Sequence, residues 1–425
     1  MSAITHADDI AVISMVGQFP GAENCDALWR AITERQELLE HYADGGPEGW
    51  VAKGGFLRNA EHFDHALFRY TPREASRMDP QQRLCLTLCE EAMKQAGYDS
   101  GAELDACGVF VGTRADTWHD QQPTQDRSAS DTMLTLGGRS SDAMATRVAY
   151  KLDCKGPAVN IANFCSGSLL AVHLACNSLR LGECDMALAG GVCVRYPAHV
   201  GYMFNEGGIL SRSGKVRPFD QRADGTVFAD AAAFVGLRRV SDAIRDGNPI
   251  LAVIKGSAVN NDGLDKAGYT APNVKAQEAV INAALRQAGV AAEQIGLLEA
   301  HGTGTQVGDA VELRALSRVF AGVAPRNCVL GALKANLGHT DCASGICGLI
   351  KTVQAVRMGI LPGTTHCEQP CEALLDPLSP FDVSGTSRPW SKPAPQRLAG
   401  VSSFGIGGTN VHVIVSGPPA VPSCV

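Results

Sequence analysis

One thiol and two imidazoles, each set among glycines and small polar residues, are the side chains of this sequence best suited to chemistry. The thiol is Cys165 in Asn163-Phe-Cys-Ser-Gly-Ser-Leu169. The imidazoles are His301 in Glu299-Ala-His-Gly-Thr-Gly-Thr-Gln-Val-Gly-Asp309 and His339 in Lys334-Ala-Asn-Leu-Gly-His-Thr-Asp-Cys-Ala-Ser-Gly345. Together they suit acyl-thioester chemistry that passes through a charged intermediate. Cys165 follows a short strand pattern (Ala158–Ile161) and precedes a helical one (Ser168–Leu181), with Gly167 available for a sharp turn. A helix start offers free N–H groups and a positive dipole end, which favours thiolate, the nucleophilic form. Neutral imidazoles donate hydrogen bonds to a thioester oxygen and assist loss of carbon dioxide from a malonyl group.

Blander readings compete with each of these. Most cysteines in apolar stretches are small buried hydrophobes, and a lone histidine is usually a hydrogen-bonded core residue. The elbow around Cys165, and two histidines beside glycines at strand ends, favour the chemical reading. Metal binding is not expected. Cys-x-x-Cys and His-x3-His pairs are absent, and Cys85/Cys89 and Cys367/Cys371 lack histidine partners at the usual spacing. The glycine-rich turn Ser402–Asn410 fits neither the phosphate-loop nor the dinucleotide spacing.

The elements that must position these groups are legible as apolar runs. Strand-like runs fall at Ile10–Val16, Gly108–Gly112, Ala158–Ile161, Met186–Val194, Ala231–Val240, Ile250–Val259, Leu297–Ala300, Val329–Leu333, Val401–Phe404 and Val411–Val415. Helical spacing appears over Gln81–Gln95, Ser168–Leu181, Val274–Ala288 and Asp309–Phe320. Alternation of the two predicts an α/β protein with helix-covered sheets. Cys165-Ser-Gly-Ser-Leu-Leu-Ala-Val and Cys342-Ala-Ser-Gly-Ile-Cys-Gly-Leu echo one another as small-residue elbows, which predicts a duplicated core. The turn formers Asp246-Gly-Asn-Pro249 mark the seam between residues 1–249, carrying the thiol, and 250–416, carrying both histidines; 417–425 reads as a loose tail.

Composition narrows the partners. The chain has 425 residues, 45% of them hydrophobic, and a net charge of −7, which gives no reason to expect nucleic acid or an anionic membrane. The start lacks a secretory pattern, and no apolar run reaches the ~18 residues of a membrane span. Fifteen cysteines then read as reduced cytoplasmic thiols. Lys and Arg are not visibly clustered, so an acidic carrier protein cannot be read from charge.

With these segments in view, the chain resembles the ketosynthases of modular polyketide synthases, in the thiolase-like superfamily, over nearly its full length. Further matching segments are Asp79-Pro-Gln-Gln-Arg83, Gly108–Gly112, Gly182–Gly191, Arg217-Pro-Phe-Asp220, Ala223–Phe228, Asn260-Asn-Asp-Gly263, Tyr269-Thr-Ala-Pro272 and Ser403–Asn410. The resemblance implies a five-layered αβαβα duplication acting as a homodimer, with no bound cofactor and with phosphopantetheine supplied by an acyl carrier protein. Cys165 would hold the acyl chain, and His301 and His339 would decarboxylate the malonyl extender and stabilise its enolate. Lys334 would pair with Glu312 to hold the histidine region. The N–H groups of Cys165 and Phe404 would form the oxyanion hole, and Thr303 and Thr305 would meet the pantetheine arm. The partner's segment around Met133–Met144, with Met133, Leu134 and Leu136, would close the acyl pocket.

Several positions depart from the family pattern. Asn163-Phe164 replace Thr-Ala before the nucleophile, so the Phe164 ring would reshape the acyl pocket. Ser-Gly-Ser follows Cys165 in place of Ser-Ser-Ser. Ala229-Asp230-Ala231 replace Gly-Glu-Gly, Ala310 replaces a proline, and Arg139 and Asp142 replace Asn and Ser. Arg139 and Asp142 would pair on one helical face or meet a polar acyl chain. The expected reaction is decarboxylative Claisen condensation. Ester or amide formation from the acylated cysteine, and a non-elongating or structural role, are the alternatives; the intact Cys-His-His set weighs against both. The chain stops just after Val411–Val415, so a freestanding enzyme and an excised domain both remain open.

Overall fold

Eleven strands pair into one mixed sheet in the computed structural model, which describes residues 9–42, 45–121 and 129–419. They are β1 (Ile10–Gln18), β2 (Cys107–Gly112), β3 (Ala158–Ile161), β4 (Met186–Cys193), β5 (Ala231–Arg239), β6 (Ala252–Asn261), β7 (Ile295–Glu299), β8 (Cys328–Gly331), β9 (Phe381–Asp382), β10 (Leu398–Phe404) and β11 (Thr409–Ser416). The sheet order is β9-β8-β7-β10-β11-β6-β1-β5-β4-β2-β3. Read outward from the centre, each half runs first, fifth, fourth, second, third in chain order, with β9 added beyond β8. The first-to-fifth and fifth-to-fourth pairings are antiparallel, and the fourth-to-second and second-to-third parallel, in both halves. The halves meet where Ile10–Val12 pairs antiparallel with Ala252–Ile254. The duplication inferred from one echoed elbow thus extends to the whole topology.

Six helices complete the layers: α1 (Pro80–Gln95), α2 (Ala143–Leu152), α3 (Gly167–Leu181), α4 (Val274–Ala288), α5 (Gln306–Val319) and α6 (Ser344–Met358). Side chains alternate across a strand, so neighbours on one strand enter different layers. Phe110 joins the central cluster with Leu169 and Val172 of α3 and Ile346 and Val353 of α6. Val109 and Val111 face outward to Leu88 of α1 and Val148 of α2. In the second half, Leu297 points to the centre, whereas Leu298 meets Ile281 of α4 and Leu316 of α5. The order is therefore α1/α2, half-sheet, α3/α6, half-sheet, α4/α5: a thiolase-like αβαβα sandwich. Burial on both faces explains why these strands read as continuous apolar runs.

The two central helices start alike. A single 3-10 turn, Phe164–Ser166, leads into α3, and another, Asp341–Ala343, leads into α6. The residue opening each turn is left-handed, with φ of 44° at Phe164 and 49° at Asp341. The sharp turn expected at Gly167 therefore falls on Phe164, since Gly167 has an ordinary helical φ of −51°. Glycine is required instead at Gly112, where a Cβ would lie 2.5 Å from the backbone nitrogen of Ser168. That contact presses α3 onto the end of β2.

The helix Ala129–Arg139 leaves Met133 and Leu136 exposed. Arg139 does not pair with Asp142. Its guanidinium is held by Asp120, in the 3-10 turn His119–Gln121, and lies 3.8 Å from Asp116 on the loop before that turn. No described helix is long and apolar enough to cross a membrane. Residues 420–425 of the expected tail lie outside the described residues.

Candidate active site

Cys165 occupies the middle of the turn that leads into α3. Its carbonyl accepts from the hydroxyls of Ser344 at 3.1 Å and Ser403 at 2.8 Å, one from each flanking element of the second half. These bonds tie the nucleophile's backbone to α6 and β10. The backbone N–H groups of Cys165 and Ile406 face the sulfur. The expectation of a resting thiolate is not met. Burial, with the nearby charge of Asp341, pushes the thiol up to about 12, against the pull of Lys334 and the two amides. Cys165 rests as a thiol because desolvation outweighs the helix-start effect.

His301 and His339 come together at the same place, their rings 5.6 Å apart and nearly perpendicular. Burial, reinforced by the neighbouring Lys334, holds both imidazoles well below the usual histidine range, so both are neutral. Their tautomers follow from backbone donors. Phe404 N–H donates to Nδ1 of His301 at 3.4 Å, and Asp341 N–H donates to Nδ1 of His339 at 3.0 Å. With Nδ1 accepting in each ring, the hydrogen-bond network assigns the proton to Nε2. The site thus holds two neutral Nε2–H donors. The Phe404 amide, expected in the oxyanion hole, points to His301 in this arrangement, and Ile406 supplies a second amide facing the sulfur.

Lys334 and Glu312 both support His301, but they do not form an ion pair with each other. Lys334 Nζ donates to the carbonyl of His301 at 2.5 Å and approaches its Nδ1 at 3.5 Å. Glu312, on α5, accepts the consecutive N–H groups of His301 at 2.7 Å and Gly302 at 2.8 Å. Burial pushes Glu312 up to about 7 in spite of those donors. Beneath them, Lys351 of α6 pairs with Glu299 at 2.5 Å, and Glu299 accepts the N–H of Leu333. The loop carrying His301 is therefore gripped from three sides: its amides, its carbonyl and the strand below.

A cavity of about 720 Å³ opens onto these groups, lined by Cys165, His301, His339 and Phe404 among others. Thr303 and Thr305 line the same cavity, and their hydroxyls are 2.8 Å apart. Phe164 is half exposed and lines it too, so its ring does not simply pack into the core. Met133, Leu134 and Leu136 do not line this cavity. Sequence reasoning missed two residues here, Ile406 and Asp341. Asp341 lies within the quoted histidine segment and echoes Phe164 in position, a signal that was present. Among the described residues no three His, Cys, Asp or Glu side chains converge to hold a metal ion.

Fold and site together define a thiolase-like protein. The chain belongs to the beta-ketoacyl synthase family, residues 7–243 matching its N-terminal domain and 251–368 its C-terminal domain. It is 39% identical to the Mycoketide-CoA synthase of Mycobacterium tuberculosis, over 98% of this chain and 10% of that protein. It is 40% identical to the Polyketide synthase GfsA of Streptomyces halstedii, over 96% of this chain and 6% of that one. The chain thus spans a tenth or less of either relative. Among solved structures, ketosynthase twelve of the bacillaene polyketide synthase in Bacillus amyloliquefaciens superposes with a TM-score of 0.92 at 32% identity, covering 97% of this chain and 74% of that one. The ketosynthase from module 1 of the bacillaene synthase of the same species gives 0.90 at 33%, covering 98% and 77%.

Proposed function

We propose that this ketosynthase forms a carbon–carbon bond by decarboxylative Claisen condensation on carrier-bound thioesters, in polyketide assembly. The observation that carries this reading is the pair of neutral Nε2–H imidazoles beside a buried thiol. In the first half-reaction the Cys165 sulfur attacks the carbonyl of an acyl thioester. The oxyanion is received by the amides of Cys165 and Ile406. The carrier's thiol leaves with the proton, and the acyl group stays on Cys165. In the second, His301 and His339 donate to the thioester oxygen of a malonyl group. Carbon dioxide departs, and the enolate attacks the acyl carbonyl on Cys165, releasing the sulfur as a thiolate that takes a proton from solvent to restore the thiol. Two neutral donors suit the negative charge that develops on the enolate oxygen.

The cavity beside Thr303 and Thr305 fits a pantetheine arm from an acyl carrier protein, since those two hydroxyls are available for its amide groups. We also take the protein to act as a homodimer, with the partner's segment around Met133–Met144 against the acyl chamber; exposed Met133 and Leu136 support a covered face there. The free cysteines found among the described residues fit a reducing, cytoplasmic setting. Incubation with acyl-carrier and malonyl-carrier donors, with mass detection of a β-ketoacyl product and of carbon dioxide, tests the reaction. Acyl-Cys165 that yields an ester or amide instead, or no extension at all, would overturn it.

A further inference from the structure

This inference rests on the acylation of Cys165 proposed above and concerns which acyl group Cys165 accepts. Behind Asp341, which lines the cavity, lies a cluster of charges that the condensation does not use. Arg114 follows the end of β2 by two residues, just beyond the point where Gly112 packs on the nucleophile helix. Arg195 follows the end of β4 by two residues. Arg114 Nη1 and Arg195 Nη2 stand 3.7 and 3.9 Å from the same oxygen, Oδ2 of Asp341. Both separations exceed hydrogen-bonding reach, so the two cations flank the carboxylate without satisfying it. Arg195 Nη2 is moreover buried and has no hydrogen-bond partner among the described residues, a costly state for a guanidinium N–H.

The rest of Arg195 is fixed in place. Its Nη1 donates to the carbonyl of Ala229 at 2.6 Å and to Asp230 at 3.4 Å, and its guanidinium lies 4.7 Å from the centre of the Phe228 ring, which lines the cavity. Arg114 Nη1 otherwise approaches the sulfur of Cys193 at 3.9 Å. Burial pushes the Asp230 carboxyl up to about 8, although Arg195 pulls it down. Against its burial, the Cys193 thiol is drawn down to about 7 by its bond to Cys342 and by the charges of Arg195 and Arg114. Arg139, the polar residue that the sequence placed near the acyl chain, is engaged by Asp120 and takes no part.

We propose that Arg114 and Arg195 receive a carboxylate borne by the acyl chain on Cys165, so that the preferred acyl donor is the half-thioester of a dicarboxylic acid. A guanidinium fork matches a carboxylate in shape and charge. Such a group gives the buried Nη2 its partner, whereas an apolar chain leaves that N–H unsatisfied.

The test compares N-acetylcysteamine thioesters of glutaric and adipic acid with those of hexanoic and heptanoic acid, following acylation of Cys165 by intact mass. In each case the carbonyl exchanges one sulfur for another, and the thiol proton leaves with N-acetylcysteamine. The wild-type protein should take the dicarboxylic donors faster by about tenfold or more, the worth of one charge-assisted hydrogen bond. Arg195→Met and Arg114→Met should each erase that ratio, and Arg195→Lys should keep part of it. Because the ratio is read within one protein, a general loss of activity cancels. Equal or reversed preference in the wild type, or a ratio that survives both Met variants, overturns the proposal while leaving the condensation reading intact. Failure of every donor at Cys165 overturns both.

Discussion

The backbone N–H of Asp341 donates to Nδ1 of His339 at 3.0 Å, two residues back along the chain. Asp341 is left-handed, with φ of 49°, at the opening of the turn into α6. One strained residue thus sets the tautomer of an imidazole and places a carboxylate near the thiol. Its charge is the second contributor, after burial, to the raised pKa of Cys165. Asp341→Asn keeps a residue that tolerates this backbone and removes the charge.

In the wild type, a thiol pushed up to about 12 is protonated at neutral pH, so alkylation of Cys165 by iodoacetamide should rise about tenfold per pH unit from 7 to 9. The direction follows from the sign: raising pH toward the elevated value uncovers thiolate. Asp341→Asn should speed labelling at every pH in that range. Mass-mapped labelling rates would show it, and a plateau below pH 9 would mean that Cys165 rests as thiolate after all.

His301→Ala and His339→Ala should each slow carbon dioxide release from a malonyl carrier by ~10²–10³, the usual worth of one such donor, while sparing self-acylation more. The pH profile offers an independent check. Both imidazoles are held well below their ordinary value by burial, so they stay neutral as pH falls through 6.5. Decarboxylation by the wild type should therefore show no histidine-like loss between pH 8 and 6. A halving near pH 6.5 would place a titrating imidazole in the step.

Much of this arrangement was legible before folding. Strand and helix boundaries followed the apolar periods closely, because strands buried on both faces and helices packed on them leave a strong pattern; Val274–Ala288 and Ala158–Ile161 are reproduced without change. The three segments that carry Cys165, His301 and His339 were found because chemistry, glycine and strand ends coincide there. What stayed hidden depends on relations across the sheet. No local signal says that Phe404 N–H turns to His301 while Ile406 N–H turns to the thiol. Nor does one say that Lys334 chooses the His301 carbonyl over Glu312, or that Arg114 and Arg195 converge on Asp341. The thiol's protonation was misjudged for a similar reason: a helix start can be read from sequence, but the depth at which it is buried cannot.

Phe164 adopts φ of 44° with half its surface exposed at the cavity. Phe164→Gly should relieve a left-handed conformation that costs a β-carbon-bearing residue ~1–2 kcal/mol. The variant should be at least as stable as the parent and should accept a wider set of acyl thioesters. Thermal melts together with a panel of acyl donors would check both. A large drop in melting temperature would return the ring to a packing role.

Ile406 gives the cleanest test of the oxyanion donors. It is the second residue of a tight turn closed by Gly408 N–H on the carbonyl of Gly405 at 2.8 Å, inside the hairpin joining β10 to β11. Proline is favoured at that position of such a turn and has no N–H. Ile406→Pro should therefore keep the turn, delete one of the two amides facing the Cys165 sulfur, and slow self-acylation by ~10²–10³. The melting temperature should change little. Replacing the Phe404 side chain with leucine, which retains its N–H to His301, should be far milder. Acylation rates by intact mass, paired with thermal melts, separate the two positions. An Ile406→Pro protein that melts like the parent and acylates at the parent rate would return the second donor to another amide.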